Sequence, residues 1–195
     1  MWLDTVTLES DTVTLLPLHS EHSAQLLKAA ADGNLWDLWY TTVPKEDTIQ
    51  QYIETAIQQA EQLPFAVMEK TSGKIIGTTR LLNADPINKR VGIGATWYSK
   101  SHQKTSVNTE CKLLLLTHAF ETLDCIAVEF RTHWHNHASR AAIARLGAKQ
   151  DGVLRNHQRM ANGSYRDTVV FSIINHEWPT VKVALESKLT QNRKS

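Results

Sequence analysis

A chain of 195 residues, 42% of them apolar and 21% charged, suits a single globular domain around one core. Its 21 basic and 20 acidic residues leave a net charge of +1, which excludes a global field that would gather nucleic acid or an anionic membrane. The longest apolar run, Leu113 to Leu116, is far short of the roughly 20 residues that span a bilayer.

In chain order, the N-terminal "MWLDTVTLES" carries acids and no long apolar run, so no signal peptide is expected. Val13 to Leu16 reads as a strand stopped by Pro17, and "SEHSAQLLKAAA" as a helix capped by Ser20 that ends at Asp32-Gly33. After the aromatic stretch "LWDLWYTTVP", Asp47 to Gln62 has Ile49, Ile53, Ala56, Ile57 and Ala60 on one helical face. "PFAVMEK" and "KIIGTTRLL" form a hairpin through Thr71-Ser72-Gly73, and "RVGIGATWY" is a third strand whose two glycines predict a bulge or a close backbone approach. The polar loop Ser101 to Asn108 leads straight into an apolar helix. Then follow the buried strand "AVEFRTHW", a helix over Ala138 to Leu146 stopped by Gly147, two strands in "KQDGVLRNHQ" and "YRDTVVFSIINHE", and a closing helix in "EWPTVKVALESKL". The irregular order β-α-α-β-β-β-α-β-α-β-β predicts an α/β sandwich around a mixed sheet, unlike a doubly wound fold. No linker interrupts residues 1–180; the tail "LTQNRKS" is polar and predicted to fray. Cys111 and Cys125 have neither metal nor disulfide spacing, which suits a reducing cytoplasm.

The chemistry concentrates at the loop before the apolar helix. A helix start leaves backbone N–H groups without partners, and its dipole favours an anion there. Lys104 adds a positive charge, and Thr105, Ser106 and Thr109 add hydroxyl donors, a composition that fits either a capped helix or a pyrophosphate cradle.

Three strings together resemble the GNAT acetyltransferase superfamily, in its branch of ribosomal-protein N-terminal acetyltransferases. Gln103-Lys104-Thr105-Ser106-Val107-Asn108 aligns with the family's phosphate loop Q/R-x-x-G-x-G/A, with Ser106 and Asn108 in place of its glycines. "NHASRAAIARLGA", from Asn136, is similar to the pattern N-x-x-S followed by a distant Gly, and "YRDTVVFSI" resembles the family's last strand. The resemblance implies a single acetyltransferase domain over residues 10–178, with 179–195 as C-terminal helix and tail. It implies a GNAT-like mixed, mostly antiparallel α/β sheet flanked by helices, splayed between the strands near 90–98 and 127–133. It implies acetyl-CoA as co-substrate, its pantetheine pairing with backbone near Ala95 to Trp97 and Tyr98 and its pyrophosphate on the amides from Gln103 to Thr109, with Asn136 nearby. Ser139 takes the leaving-group role, with Tyr165 as the fallback. The family's glutamate in the string E-I-G has no counterpart in Gly92-Ile93-Gly94, so the general base stays open between Glu129 and His133.

Trp36, Trp39 and Tyr40 are either core for the N-terminal helices or, as the resemblance implies, a wall of the acceptor pocket. Glu46-Asp47 complements the dipole of the next helix or rims that pocket for a cationic amine. His133, His135 and His137 alternate as metal ligands in a strand would. The run crosses into a helix start, however, so they are expected to be polar loop histidines, with no metal. The resulting expectation is a cytoplasmic, acetyl-CoA-dependent N-acetyltransferase, monomeric or homodimeric. Its acceptor is the α-amine of a protein or peptide, with no nucleic-acid or membrane partner. The alternatives are a small-amine acetyltransferase and a degenerate, non-catalytic acyl-CoA-binding protein.

Overall fold

The computed structural model describes residues 2–192. The end of the expected fraying tail, 193–195, lies outside them. Eight strands form one sheet in the order β1-β2-β3-β4-β5-β6-β8-β7. They are β1 (Leu8–Glu9), β2 (Val13–Pro17), β3 (Leu63–Glu69), β4 (Lys74–Asp85), β5 (Arg90–Tyr98), β6 (Ala127–His133), β7 (Lys149–Arg159) and β8 (Tyr165–Ile174). Every neighbouring pair is antiparallel except β5 and β6, which run parallel. That one parallel pair needs a crossover, and the helix α3 (Val107–Thr117) supplies it.

Helices α1 (Ser23–Ala31) and α2 (Ile49–Gln58) cover one face of the sheet, where Leu26, Ala30, Ile53 and Ala56 pack with Ala66, Ile75 and Trp97. The other face is covered by α3, α4 (His137–Arg145) and α5 (Trp178–Asn192), through Cys111, Leu115, Ile143 and Leu185 against Val91, Phe130 and Val169. The mixed, helix-flanked sheet is the one expected.

Several boundaries differ from expectation for local reasons. A 3-10 turn, Ser20–His22, precedes α1, so Ser20 opens that turn rather than capping the helix. Helix α2 spans ten residues only, because Gln59 already has extended backbone. Strand β1 is a two-residue edge pairing, too short for a periodic signal. Helix α3 starts at Val107, two residues before Thr109, and passes into a π-turn at His118–Thr122. Glu110, in its first turn, is buried and accepts from Ser10 Oγ at 2.6 Å and the Thr12 N–H at 3.3 Å, which ties the helix to the β1–β2 connection.

Candidate active site

Strands β5 and β6 pair at Arg90–Ala127, Val91–Val128 and Gly92–Glu129, and no further. From Ile93 and Phe130 onward the two strands part, opening the gap expected between them. The cause lies in β5, where Ala95 and Thr96 together oppose the single residue Thr79 of β4. Ala95 takes φ of +47° to make this bulge. The extra residue reverses the alternation. Val91 and Ile93 face α3, but beyond the bulge it is Tyr98 that does so, while Trp97 turns towards α1 and α2. Both side chains are buried, so only their backbone is available to a cofactor. Gly92 and Gly94 are the predicted close approach: a Cβ on either would meet a Leu82 methyl at 2.9 Å.

The loop before α3 is braced from below. Asp32, just past α1, accepts from the Ser101 N–H and hydroxyl, and Gln103 Nε2 donates to the Tyr98 carbonyl at 3.0 Å. The two positions where the family pattern has glycine need no glycine conformation, since Ser106 is right-handed helical (φ −68°) and Asn108 lies within α3. The left-handed residue is Lys104, at φ +62°. Thr105 Oγ1 donates to the His102 carbonyl and meets the Val107 N–H at 3.3 Å, leaving Asn108 and Thr109 with N–H groups that have no intrahelical acceptor. Val107 and Thr109 bury their side chains, while Lys104 stays exposed.

Asn136 caps α4, its Oδ1 accepting from the Ser139 N–H at 3.0 Å. That fixes Ser139 in the first turn by its backbone, and its hydroxyl carries no hydrogen bond to another described residue. Tyr165, the fallback, lies exposed at the start of β8.

Trp36 packs against the α1–α2 core, whereas Trp39 is 51% exposed and meets the His133 ring edge-on at 5.0 Å. Tyr40 lies beside both. The three aromatics therefore divide. Trp36, partly buried, lies against the core, and the other two cover the end of β6. His133 is not the polar loop histidine expected: it closes β6 opposite Thr168 and is only 2% exposed. Its Nδ1 accepts from the His135 N–H at 3.0 Å, so in the neutral ring the proton sits on Nε2, a buried donor with no partner among the described residues. Burial, then the charge of Arg166, lowers its pKa, which favours the neutral ring. A ring with this tautomer has no free acceptor for a proton.

On the same face of β6, Glu129 and Arg131 line a cavity of about 300 Å³ with Gly94 and Ala95 of β5 and Arg166 and Thr168 of β8. Glu129 stands across from Gly92, the position at which the family's carboxylate is missing. A buried residue missed in the sequence is Lys112, 5% exposed, whose ammonium donates to Thr96 Oγ1 at 2.7 Å and Thr79 Oγ1 at 3.2 Å. Its spacing to Leu115 and Leu116 puts it on the buried face of α3, a signal the sequence does contain.

The chain matches the family described as "Acetyltransferase (GNAT) domain" over residues 12–149. It is 31% identical over 106 residues to a Bacillus subtilis (strain 168) protein named "Putative ribosomal N-acetyltransferase YdaF"; that match spans 54% of this chain and 57% of the relative, somewhat over half the length of each. The solved structure of a GCN5-related N-acetyltransferase from Brucella melitensis superposes with a TM-score of 0.87 at 28% identity, over 96% of this chain and 86% of that one. A structure of RimL, a ribosomal L7/L12 alpha-N-protein acetyltransferase in complex with coenzyme A, shares the fold with a TM-score of 0.73 at 19% identity, over 87% of this chain and 98% of that one.

Proposed function

The chain belongs to the GNAT acetyltransferase family, and on that premise we propose that it moves an acetyl group from acetyl-CoA to the α-amine at the N-terminus of a protein or peptide. The observation that carries this reading is the parting of β5 and β6 beyond Gly92 and Glu129, beside a helix start with open amides. These features fit the cofactor's chemistry. The Asn108 and Thr109 amides and Lys104 suit a pyrophosphate, and the free edge of β5 suits an arm of amides. Asn136 caps α4, which packs on β6 and β8. The bound cofactor supplies an acetyl group activated as a thioester.

The chain's own residues do the rest. Glu129 takes the proton that the acceptor's ammonium must lose, directly or through a water; an α-amine with a pKa of about 8 needs only a weak base. The nitrogen then forms a bond to the acetyl carbon as the carbon–sulfur bond breaks, and the Ser139 hydroxyl donates a hydrogen bond to the sulfur as negative charge develops on it. The nitrogen's second proton passes to the sulfur, with the Ser139 hydroxyl as relay, so that coenzyme A leaves as the thiol, and the first proton passes from Glu129 to solvent. Trp39 and Tyr40 wall the acceptor side over His133. Holding amine and thioester together supplies much of the acceleration, since effective molarities reach about 10⁵ M or more. The name of the Bacillus subtilis relative, a ribosomal N-acetyltransferase, supports a protein acceptor.

The test is thiol release from acetyl-CoA with a panel of peptides and small amines, with the product mapped by mass spectrometry. N-terminal peptides are expected to be acetylated at the α-amine at least about tenfold faster than polyamines or aminoglycosides. Thiol release that no amine increases would overturn the reading, and a preference for small amines would overturn the peptide acceptor.

A further inference from the structure

The cavity beside the parted strands carries an unbalanced charge. Arg131 is held by Glu129, its Nε at 2.6 Å from Oε1 and its Nη2 at 3.3 Å from Oε2. Arg166, half-buried, has no such partner: no carboxylate among the described residues lies within ion-pair distance of it. Its Nε donates to Thr168 Oγ1 at 3.0 Å, and that hydroxyl in turn meets His157 Nδ1 at 3.0 Å. Thr168 thus fixes the guanidinium by one edge and leaves its terminal N–H groups for something else. Burial, then the neighbouring charge of Arg131, lowers the Arg166 pKa, the mark of a cation short of a counter-ion.

We propose that this cavity is the acceptor subsite and that it selects amines carrying a carboxylate close by, with Arg166 binding the carboxylate and Glu129 facing the ammonium. The inference rests on the acetyl-transfer reading and narrows its acceptor. Opposite charges on the walls of one cavity of about 300 Å³ match the two charges of a short zwitterionic segment. The planar guanidinium, pinned at one edge, suits a carboxylate. The segment is either an acidic peptide N-terminus or a free amino acid, which share this chemistry.

Two matched pairs test it. One pair is a peptide amide with Asp at its second position and the same peptide with Asn; the other is free serine and serinamide. The carboxylate member of at least one pair is expected to show kcat/KM about tenfold or more above its neutral partner, and the pair that shows it identifies the source. In Arg166→Gln the ratio should fall towards one, and in Arg166→Lys it should persist in part, with melting curves checking that both variants fold. No preference in either pair, or a preference that survives in Arg166→Gln, overturns the proposal. Calorimetric titration of the same compounds separates it from the acetyl-transfer reading. If no amine is acetylated, that reading fails; binding of a carboxylate member that is lost in Arg166→Gln still supports the subsite, and equal binding of both members overturns it.

Discussion

The ammonium of Lys112 donates to Thr96 Oγ1 at 2.7 Å inside the β5 bulge, and no carboxylate among the described residues accompanies it. Burial pushes the Lys112 pKa from 10.5 down to about 8. Between those values the unfolded chain holds a proton that the folded chain has released, so stability rises with pH across that window. Below about pH 8 both states are protonated and the full cost of burying the cation remains. Lys112→Met is therefore expected to be at least as stable as wild type at pH 7. Wild type should gain on it by on the order of 3 kcal/mol as pH rises towards 10.5. Taking the difference between the two proteins removes the opposing contribution of Cys111, whose thiol burial pushes up to about 12. Urea unfolding at a series of pH values measures it, and a flat difference would mean that Lys112 titrates normally.

Asn108 is the second residue of α3, and its N–H has no intrahelical acceptor. Proline is tolerated in a helix's first turn because the donor it removes is unpaired there. Asn108→Pro should leave the melting temperature within a few degrees of wild type while raising the acetyl-CoA dissociation constant several-fold. In wild type a hundredfold excess of acetyl-CoA over its dissociation constant should add about 2.7 kcal/mol of stability. An unchanged melting curve at saturating coenzyme would remove the pyrophosphate from this helix start.

Ser139 and Asn136 separate chemistry from capping. Asn136 supplies the cap, so Asn136→Ala should cost about 1 kcal/mol of stability. Ser139→Ala should cost little stability and lower kcat by about tenfold to a hundredfold with the Michaelis constant for acetyl-CoA nearly unchanged. Full activity in Ser139→Ala would move the leaving-group role to water or to Tyr165.

Trp36→Ala and Trp39→Ala should behave differently although their positions are three apart. The first empties core space and is expected to cost up to about 3 kcal/mol. The second, over His133, should raise the Michaelis constant for the amine alone with a smaller loss of stability. Equal destabilisation by both, with no change specific to the amine, would assign Trp39 to the core as well.

What the sequence disclosed follows from how far each signal reaches along the chain. Strand β5 is found over the expected residues because its glycines and its apolar run are both local. The start of α3 falls at Val107 because the small and polar residues read as loop are equally able to form a helix's first turn. The contact between Trp39 and His133 and the cavity shared by Glu129 and Arg166 join distant segments, and nothing in either segment alone signals the other. Lys112 is the intermediate case. Its helical phase was legible, but the hydroxyls that accept from it belong to two strands.

A sheet whose middle is joined by three residue pairs is, mechanically, two sheets meeting at a seam. Hairpins join β3 to β4, β4 to β5 and β7 to β8 by contacts near in sequence, whereas the seam, like the β2–β3 and β6–β8 pairs, closes a long loop at a cost in chain entropy. Beyond Gly92 the edges of β5 and β6 lack each other's hydrogen bonds, and their amides should exchange with solvent faster than those of β3 and β4. Any extended molecule that fills the gap adds rungs where the sheet has fewest, so its binding should stiffen the protein from the centre outward.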